Sequence, residues 1–210
     1  MSPWAYIAIE GLIGAGKTTL ARRLAAAQGA RLVLEGFEDN PFLPRFYEDP
    51  QRYGFSVELS FLAQRFHQLK QVGELSLFHP LTIADYSIDK SLVFASVTLA
   101  DDERTLFRDL YDIMYAGLPR PDLLVYLHLS MAKVQQRIRS RGRGYEQRIQ
   151  VDYLEQLQER YLDHLQQLVG QRVLVVDVEE ADLLLDEEAF ARFTQELYRE
   201  RGPGVHVVKL

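Results

Sequence analysis

An octapeptide near the amino terminus restricts the possible folds of this chain more than any other feature. It runs from Gly11 to Thr18, reads Gly-Leu-Ile-Gly-Ala-Gly-Lys-Thr, and fits the pattern G-x-x-x-x-G-K-[ST] at every required position. The apolar run Trp4 to Ile9 before it is typical of a buried strand, and the run Thr19 to Gln28 after it has a helical pattern. Strand, glycine-rich loop and helix in this order predict a phosphate-binding loop.

The chemistry of this loop indicates how a nucleotide would bind. The glycines allow backbone N–H groups to point at an anion, and the helix that follows adds the positive end of its dipole. Lys17 is predicted to bind the β- and γ-phosphates, and the Thr18 hydroxyl to ligate Mg²⁺. The loop residues predicted to bind ATP are Gly11, Gly14, Ala15, Gly16, Lys17, Thr18 and Thr19.

Composition excludes several classes of protein. A chain of 210 residues suits one α/β domain that spans residues 1–210. The sequence has no cysteine, which excludes disulfides, thiolate catalysis and Cys-ligated zinc. A formal net charge of −6 argues against broad nucleic-acid or anionic-membrane binding, and no apolar run is long enough to cross a bilayer. We therefore expect a cytoplasmic protein with no nucleic-acid or membrane partner.

Apolar strands and helices alternate along the chain, which predicts a parallel sheet with helices on both faces. The predicted strands are Ala5–Glu10, Arg31–Glu35, Leu81–Tyr86, Leu123–Leu129 and Arg172–Val178. The predicted helices are Lys17–Gln28, Gly54–Val72, Lys90–Leu99, Glu103–Ala116, Ala132–Arg141, Val151–Val169 and Glu187–Arg201. Pro41, Pro44 and Pro50 predict a loop with short turns, and the tail Val205–Leu210 is compatible with a short extra strand or a frayed end.

Two acids end predicted strands at the sheet edge where ligands of doubly wound proteins collect. Asp85 closes the apolar run Leu81–Ala84 and is predicted to hold Mg²⁺, directly or through water, although it would also suit a cap of the next helix. Glu35 ends the second strand, where an acid can accept the proton of an attacking hydroxyl. A solvated loop acid is equally compatible with that position.

A run of arginines lies later in the chain. Arg137 and Arg141 share one helical face, whereas Arg139 points elsewhere, and Gly142 marks a helix end. We interpret this segment as a lid that neutralises charge on a transferring phosphoryl group, although cations also favour the carboxyl ends of helices for structural reasons. The residues assigned to catalysis in the lid, at about 137–148, are Arg137, Arg141 and Arg143.

Taken together, these residues and several others resemble the deoxyribonucleoside kinases. The resemblance covers about residues 4 to 165 and rests on Glu35, Asn40–Phe42, Phe46–Pro50, Glu58–Arg65, Asp85–Ser87 and the lid Arg141–Gln147. The arginine lid that ends in Glu-Gln is its most specific element. It implies a P-loop kinase with a five-stranded parallel sheet and a helical lid, expected to be a homodimer, that passes the γ-phosphate of ATP to a deoxynucleoside 5′-hydroxyl.

The resemblance also implies roles for single residues. Glu35 stands where the family keeps its general base, while Tyr47 and Glu146 stand where it binds the sugar 3′-hydroxyl. The ring of Tyr47 would also crowd C2′. Arg65 matches an arginine that contacts the base edge; without the resemblance, Tyr47 would be a core aromatic and Arg65 a solvated charge. Phe94 would stack on the base or belong to the core.

Two positions depart from the family pattern. Glu58 stands where many members have Gln, two helical turns from Arg65 on the same face. A carboxylate accepts but cannot donate, so Glu58 favours N–H groups on the base, such as guanine N1–H and N2–H₂ or an adenine or cytosine amino group. We expect purine substrates. Tyr86 stands where the usual Glu/Asp-Arg-Ser triplet has arginine, and Lys90 is a candidate substitute for that cation.

Three interpretations follow, led by a purine deoxynucleoside kinase. A thymidylate-like nucleoside monophosphate kinase would need extra basic groups for the acceptor phosphate, whereas Glu58 beside Arg65 resembles a base-edge pair. A nucleotide-dependent switch or assembly ATPase would not need Tyr47, Glu146 and Arg65 around a second ligand, and the sequence has no Asn-Lys-x-Asp motif for guanine.

Overall fold

A computed structural model describes residues 3–37, 40–74 and 80–210. Within these ranges the strands form one sheet of six, in the order β2-β3-β1-β4-β5-β6, and every neighbouring pair is parallel. The strands are β1 (Tyr6–Gly11), β2 (Arg31–Val33), β3 (Thr82–Ala84), β4 (Leu123–His128), β5 (Arg172–Asp177) and β6 (Gly204–Lys209).

Helices flank this sheet. They are α1 (Lys17–Gln28), α2 (Leu43–Glu48), α3 (Pro50–Glu74), α4 (Lys90–Thr98), α5 (Asp101–Tyr115), α6 (Met131–Arg141), α7 (Val151–Gln167) and α8 (Glu187–Tyr198), with a short 3₁₀ helix at Glu146–Arg148. In the part of the chain that the structure describes, no helix combines the length and the apolar character needed to cross a membrane.

The central strand β1 positions the phosphate-binding loop. All its residues are buried, and Ile7 and Ile9 are fully inaccessible, which explains why its sequence is apolar except for Glu10 and does not alternate. β1 pairs with β3 on one side and β4 on the other. Because parallel strands end at the same sheet edge, the residues that follow β1, β2 and β3 meet there.

The predicted doubly wound parallel fold is confirmed, but the predicted number of five strands is wrong. The sixth strand is the tail segment β6, which pairs with the edge of β5 in the register Val173↔Val205 and Val175↔Val207. Its residues alternate between half-buried and exposed because it lies at the edge of the sheet. Pairing with β5 orders this terminal segment, and the local sequence does not reveal that pairing.

The prolines between β2 and α3 begin helices instead of only breaking them. Pro44 lies in the first turn of α2, and Pro50 is the first residue of α3, which was predicted to begin only at Gly54. A helix does not need the N–H of its first residues, and the fixed φ of proline suits that position. The predicted loop with short turns at Pro41–Pro50 is therefore largely helical.

Candidate active site

The loop between β1 and α1 has backbone conformations that require glycine. Gly11 and Gly14 have φ of +146° and +84°. A Cβ on Gly11 would lie 2.8 Å from the Leu127 carbonyl oxygen, and one on Gly14 would lie 3.0 Å from Cγ1 of Ile138 on α6. The loop therefore packs directly against the helix that carries the arginines.

Lys17 lies inside this loop. Its Nζ donates to the carbonyl oxygens of Gly11 and Leu12, both at 2.9 Å. Burial and the nearby ammonium of Lys90 together lower the pKa of Lys17 to about 8, against the opposing effect of nearby carboxylates. A second cation therefore lies close to the phosphate-binding lysine.

Asp85 joins the phosphate loop to the second strand. Its Oδ2 accepts from the Thr18 hydroxyl at 2.5 Å, and its Oδ1 accepts from the Glu35 backbone N–H at 2.8 Å. α4 begins only at Lys90, with Asp89 at its N-cap position, so Asp85 does not cap that helix. The pair of hydroxyl and carboxylate oxygens is a donor set that suits Mg²⁺.

No larger cluster of His, Cys, Asp and Glu suited to a metal occurs among the described residues. Mg²⁺ usually takes one or two protein carboxylates together with substrate phosphates and water. The Thr18–Asp85 pair therefore fits a magnesium ion that arrives with a nucleotide.

Glu35 receives two cations in the same cleft. Its Oε2 lies 2.5 Å from Lys90 Nζ, while its Oε1 accepts from Arg65 Nε at 2.9 Å and Nη2 at 2.6 Å. Burial favours the neutral acid, but Lys90 and Arg65 outweigh burial and lower the pKa of Glu35 to about 2. Glu35 is thus an ionised carboxylate held in a fixed position, rather than a solvated loop acid.

Arg65 links the helix predicted to read the base to this carboxylate. Besides its two hydrogen bonds to Glu35, it donates from Nη1 to the Ser91 hydroxyl at 2.6 Å. It is 2% exposed, so it is not the solvated charge that helix position alone suggests. A guanidinium has five N–H donors, and these three bonds leave others for a ligand.

Glu58 is also buried, on the same face of α3 as Arg65 and two helical turns before it. It is 3% exposed, and its Oε2 has no hydrogen-bond partner. Burial raises the pKa of Glu58 to about 7, although the cations Arg65 and Lys90 oppose this. Thr98 and Tyr153 are its other polar neighbours. The carboxyl group is therefore near the balance between neutral and ionised forms at neutral pH.

An aromatic stack lines the same cleft as the phosphate loop. The rings of Tyr47 on α2 and Tyr145 in the lid lie 5.8 Å apart and nearly parallel, at 13°. Burial raises the pKa of the Tyr47 phenol, so this group stays a neutral hydroxyl. Next to the stack, Glu146 is 5% exposed, accepts from Arg143 at 3.0 Å, and has one oxygen without a partner.

The lid has the helix end predicted from its sequence. Gly142 follows α6 with a φ of +72° and ends the helix, so Arg143 lies in the loop, 4.1 Å over the ring of Phe37. Arg137 donates to the Ala15 carbonyl oxygen of the phosphate loop at 3.0 Å. Arg139 is exposed and bonds only weakly to its own helix, as its different helical face predicts.

Most of the predicted residues meet in one cleft. Those that line it are Gly14, Lys17, Thr18, Glu35, Tyr47, Arg65, Asp85, Phe94, Arg141, Arg143 and Glu146. Phe94 is half-buried there, packs edge-on against Tyr161, and lies under the Lys90 ammonium. Glu58 does not line the cleft but lies buried behind it, and Thr19 is an exposed residue of α1.

A second cavity lies on the other side of the phosphate loop. It is mostly apolar and is lined by Ala15, Gly16, Leu20, Leu127, Arg137, Val178, Ala181, Leu183 and Leu184. Sequence reasoning missed the contribution of residues 178–184, because they follow β5 in a segment without motif and reach the loop only through the sheet order.

Sequence reasoning also missed Glu10, the single acid of β1. Glu10 is 1% exposed; its Oε1 accepts from the Ser87 backbone N–H at 2.6 Å and its Oε2 from the Tyr161 hydroxyl at 3.1 Å. Burial raises the pKa of Glu10, against the effect of Lys90 and Lys17. An acid in an otherwise apolar buried strand is the sequence signal that would have found it.

Comparison with known proteins agrees with this geometry. The family model described as deoxynucleoside kinase matches residues 7–200. The chain is 37% identical over 193 residues to the deoxyguanosine kinase of Bacillus subtilis (strain 168), which covers 89% of this chain and 93% of that protein. It is 30% identical over 199 residues to the deoxyadenosine/deoxycytidine kinase of the same organism, over 91% of this chain and 90% of that protein.

A solved structure extends the likeness to the fold. The deoxyadenosine kinase from M. mycoides with bound dATP superposes with a TM-score of 0.80 at 27% identity, over 92% of this chain and 100% of that one. The chain therefore belongs to the deoxynucleoside kinase family. The resemblance predicted from the sequence is confirmed, and with it the kinase class of enzyme.

Proposed function

We propose that this protein is an ATP-dependent kinase that phosphorylates purine deoxynucleosides on the 5′-hydroxyl. One observation carries the proposal: the ionised carboxylate of Glu35 lies in the same cleft as Lys17 and the Thr18–Asp85 pair. A site for phosphates and a carboxylate for an acceptor hydroxyl are the two parts that phosphoryl transfer needs.

The reaction forms a bond from the acceptor 5′-oxygen to the γ-phosphorus while the bond from this phosphorus to the bridging oxygen of ADP breaks. Glu35 orients the hydroxyl and receives its proton. Lys90 and Arg65 hold the pKa of Glu35 low, so this residue is ionised and able to accept the proton. The loop N–H groups and Lys17 hold the phosphates.

Thr18 and Asp85 would hold Mg²⁺, which supplies charge neutralisation and alignment to the phosphates when it is bound. Arg141 and Arg143 reach the cleft from the lid, where they stabilise the charge that spreads over the transferring group. Arg137 acts from the loop side.

The acceptor would lie between the phosphate loop and the aromatic stack. Tyr47 and Glu146 bind the 3′-hydroxyl, and the Tyr47 ring fills the space that a 2′-hydroxyl needs. Phe94 stacks on the base, and Arg65 donates to its acceptors. Glu58 lies outside the lining of the cleft, so the preference for purines is supported by the similarity to a deoxyguanosine kinase.

We further propose that the protein works as a cytoplasmic homodimer, in keeping with the family resemblance. Leu106 and Ile113 on α5 are 52% and 75% exposed, and apolar side chains of this size favour burial against a partner. Light scattering after size exclusion gives the mass in solution directly, and a monomer at micromolar concentration would contradict the dimer.

An acceptor screen tests the function. The protein is incubated with ATP and Mg²⁺ and each of four deoxynucleosides, their ribonucleoside counterparts and thymidine monophosphate, and the products are separated. We expect 5′-monophosphates of deoxyguanosine or deoxyadenosine with equimolar ADP. Preferred phosphorylation of thymidine monophosphate would instead show a nucleoside monophosphate kinase. ADP formed without any acceptor would show a switch or assembly ATPase.

A further inference from the structure

We propose that Lys90 is a catalytic residue of this site, whose ammonium group contacts the transferring phosphoryl group while it holds Glu35 beside the acceptor hydroxyl. The inference rests on the proposed kinase function and adds to it a cation that α4 supplies. Lys90 Nζ lies 2.5 Å from Glu35 Oε2. Lys90 also lines the cleft together with Lys17 and Thr18.

The position of Lys90 is unfavourable for a lysine that only stabilises the fold. It is the first residue of α4, where the positive end of the helix dipole repels a cation, and it is 6% exposed. Burial of an ammonium costs hydration energy that an apolar side chain would not lose. Charged groups in such places concentrate at functional sites.

Arg65 shares the charge compensation of Glu35 with Lys90. Arg65 already supplies two hydrogen bonds to Oε1 of this carboxylate. Lys90 adds a second cation, which lies close enough to Lys17 to lower the pKa of that lysine. Two ammonium groups in one cleft repel each other. An anion with several oxygens that binds between them attracts both groups and so offsets this repulsion. A γ-phosphoryl group is such an anion.

The side chain of Tyr86, which stands where the family triplet has arginine, has partners elsewhere. Its hydroxyl donates to Gln68 Oε1 on α3 at 2.7 Å, and Gln68 Nε2 donates to the Leu34 carbonyl oxygen at 3.0 Å. Tyr86 therefore braces α3 against the segment after β2. Lys90, the first residue of α4, instead supplies the cation near the reacting atoms.

The test compares Lys90→Met and Lys90→Arg with the parent and with Lys70→Met, which removes an exposed ammonium on α3. Initial rates are measured with ATP, Mg²⁺ and deoxyguanosine or deoxyadenosine, together with thermal unfolding. We expect Lys90→Met to stay folded, to lose about 10²-fold or more in kcat, and to change the KM for ATP by less than about 3-fold. Lys90→Arg should recover about a tenth or more of the parent kcat, and Lys70→Met should match the parent.

Two results would overturn the role of Lys90. The first is that folded Lys90→Met has a kcat within about 3-fold of the parent value. The second is that Lys90→Met loses kcat only in proportion to the loss of folded protein, and that Lys90→Arg restores the kcat together with the stability. Failure of the proposed function gives a different result, since the parent itself would then show no deoxynucleoside turnover.

Discussion

Replacement of Glu58 by Gln tests whether the buried carboxyl group is near its balance between neutral and ionised forms. Gln has nearly the same size and cannot ionise. The difference in the free energy of unfolding between the parent and the Glu58→Gln variant should therefore depend on pH. At pH 5, where folded Glu58 is protonated, the two proteins should be similar in stability.

The structure sets the size of this effect. The pKa of Glu58 rises from 4.5 to about 7 on folding, mainly through burial, and a shift of this size corresponds to about 3 kcal/mol. Because the folded pKa is the higher one, stability is fully present below pH 4.5 and falls as pH rises towards 7. Above about pH 7 the loss is complete and stability no longer depends on this group.

Urea denaturation at pH 5 and pH 8 measures the prediction. The stability advantage of Glu58→Gln over the parent should grow by about 3 kcal/mol between these two pH values. Glu155→Gln, which changes an exposed glutamate on α7, is the matched control and should show no such growth. An advantage of Glu58→Gln that is equal at both pH values would show that Glu58 has the same charge in the folded and unfolded chain.

Three further predictions concern the other parts of the cleft. Asp85→Asn should raise the Mg²⁺ concentration needed for half-maximal rate, with partial rescue at high Mg²⁺; an unchanged requirement would remove Asp85 from the metal site. Arg141→Ala should lower kcat by about 10²-fold with little change in ATP affinity, whereas Arg139→Ala should be close to the parent; a loss confined to ATP binding would make Arg141 a docking residue. Tyr47→Phe keeps the ring stacked on the lid but loses a hydroxyl, so kcat/KM should fall by about 10-fold for deoxynucleosides and remain unchanged for 3′-deoxy analogues; equal losses for both would place the hydroxyl elsewhere.

Local patterns in the sequence predict much of the fold. α1 occupies the predicted range Lys17–Gln28, because the glycine loop fixes its start and Gly29 its end. Five strands were found from apolar runs. The local sequence does not predict β6, because the pairing of this terminal segment depends on the exposed edge of β5.

The site was predicted where chemistry depends on residues close in sequence. The phosphate loop and the helix end at Gly142 are examples, since backbone conformation and dipole follow from a few residues. The partners of Glu35 were not predictable in this way, because Arg65 and Lys90 reach it from two different helices. Their contacts depend on how α3 and α4 pack beside the sheet, which no local pattern records.

The substitution Glu35→Gln tests the central claim most directly, namely that the cleft activates an acceptor hydroxyl for attack on ATP. Gln keeps the size and one hydrogen-bonding oxygen but loses the charge that orients the hydroxyl and accepts its proton. We expect kcat with the best purine deoxynucleoside to fall by about 10²–10⁴, while the Kd for ATP stays within about 3-fold of the parent value. Near-normal turnover by folded Glu35→Gln would contradict the account, because another group would then receive the proton or none would be needed.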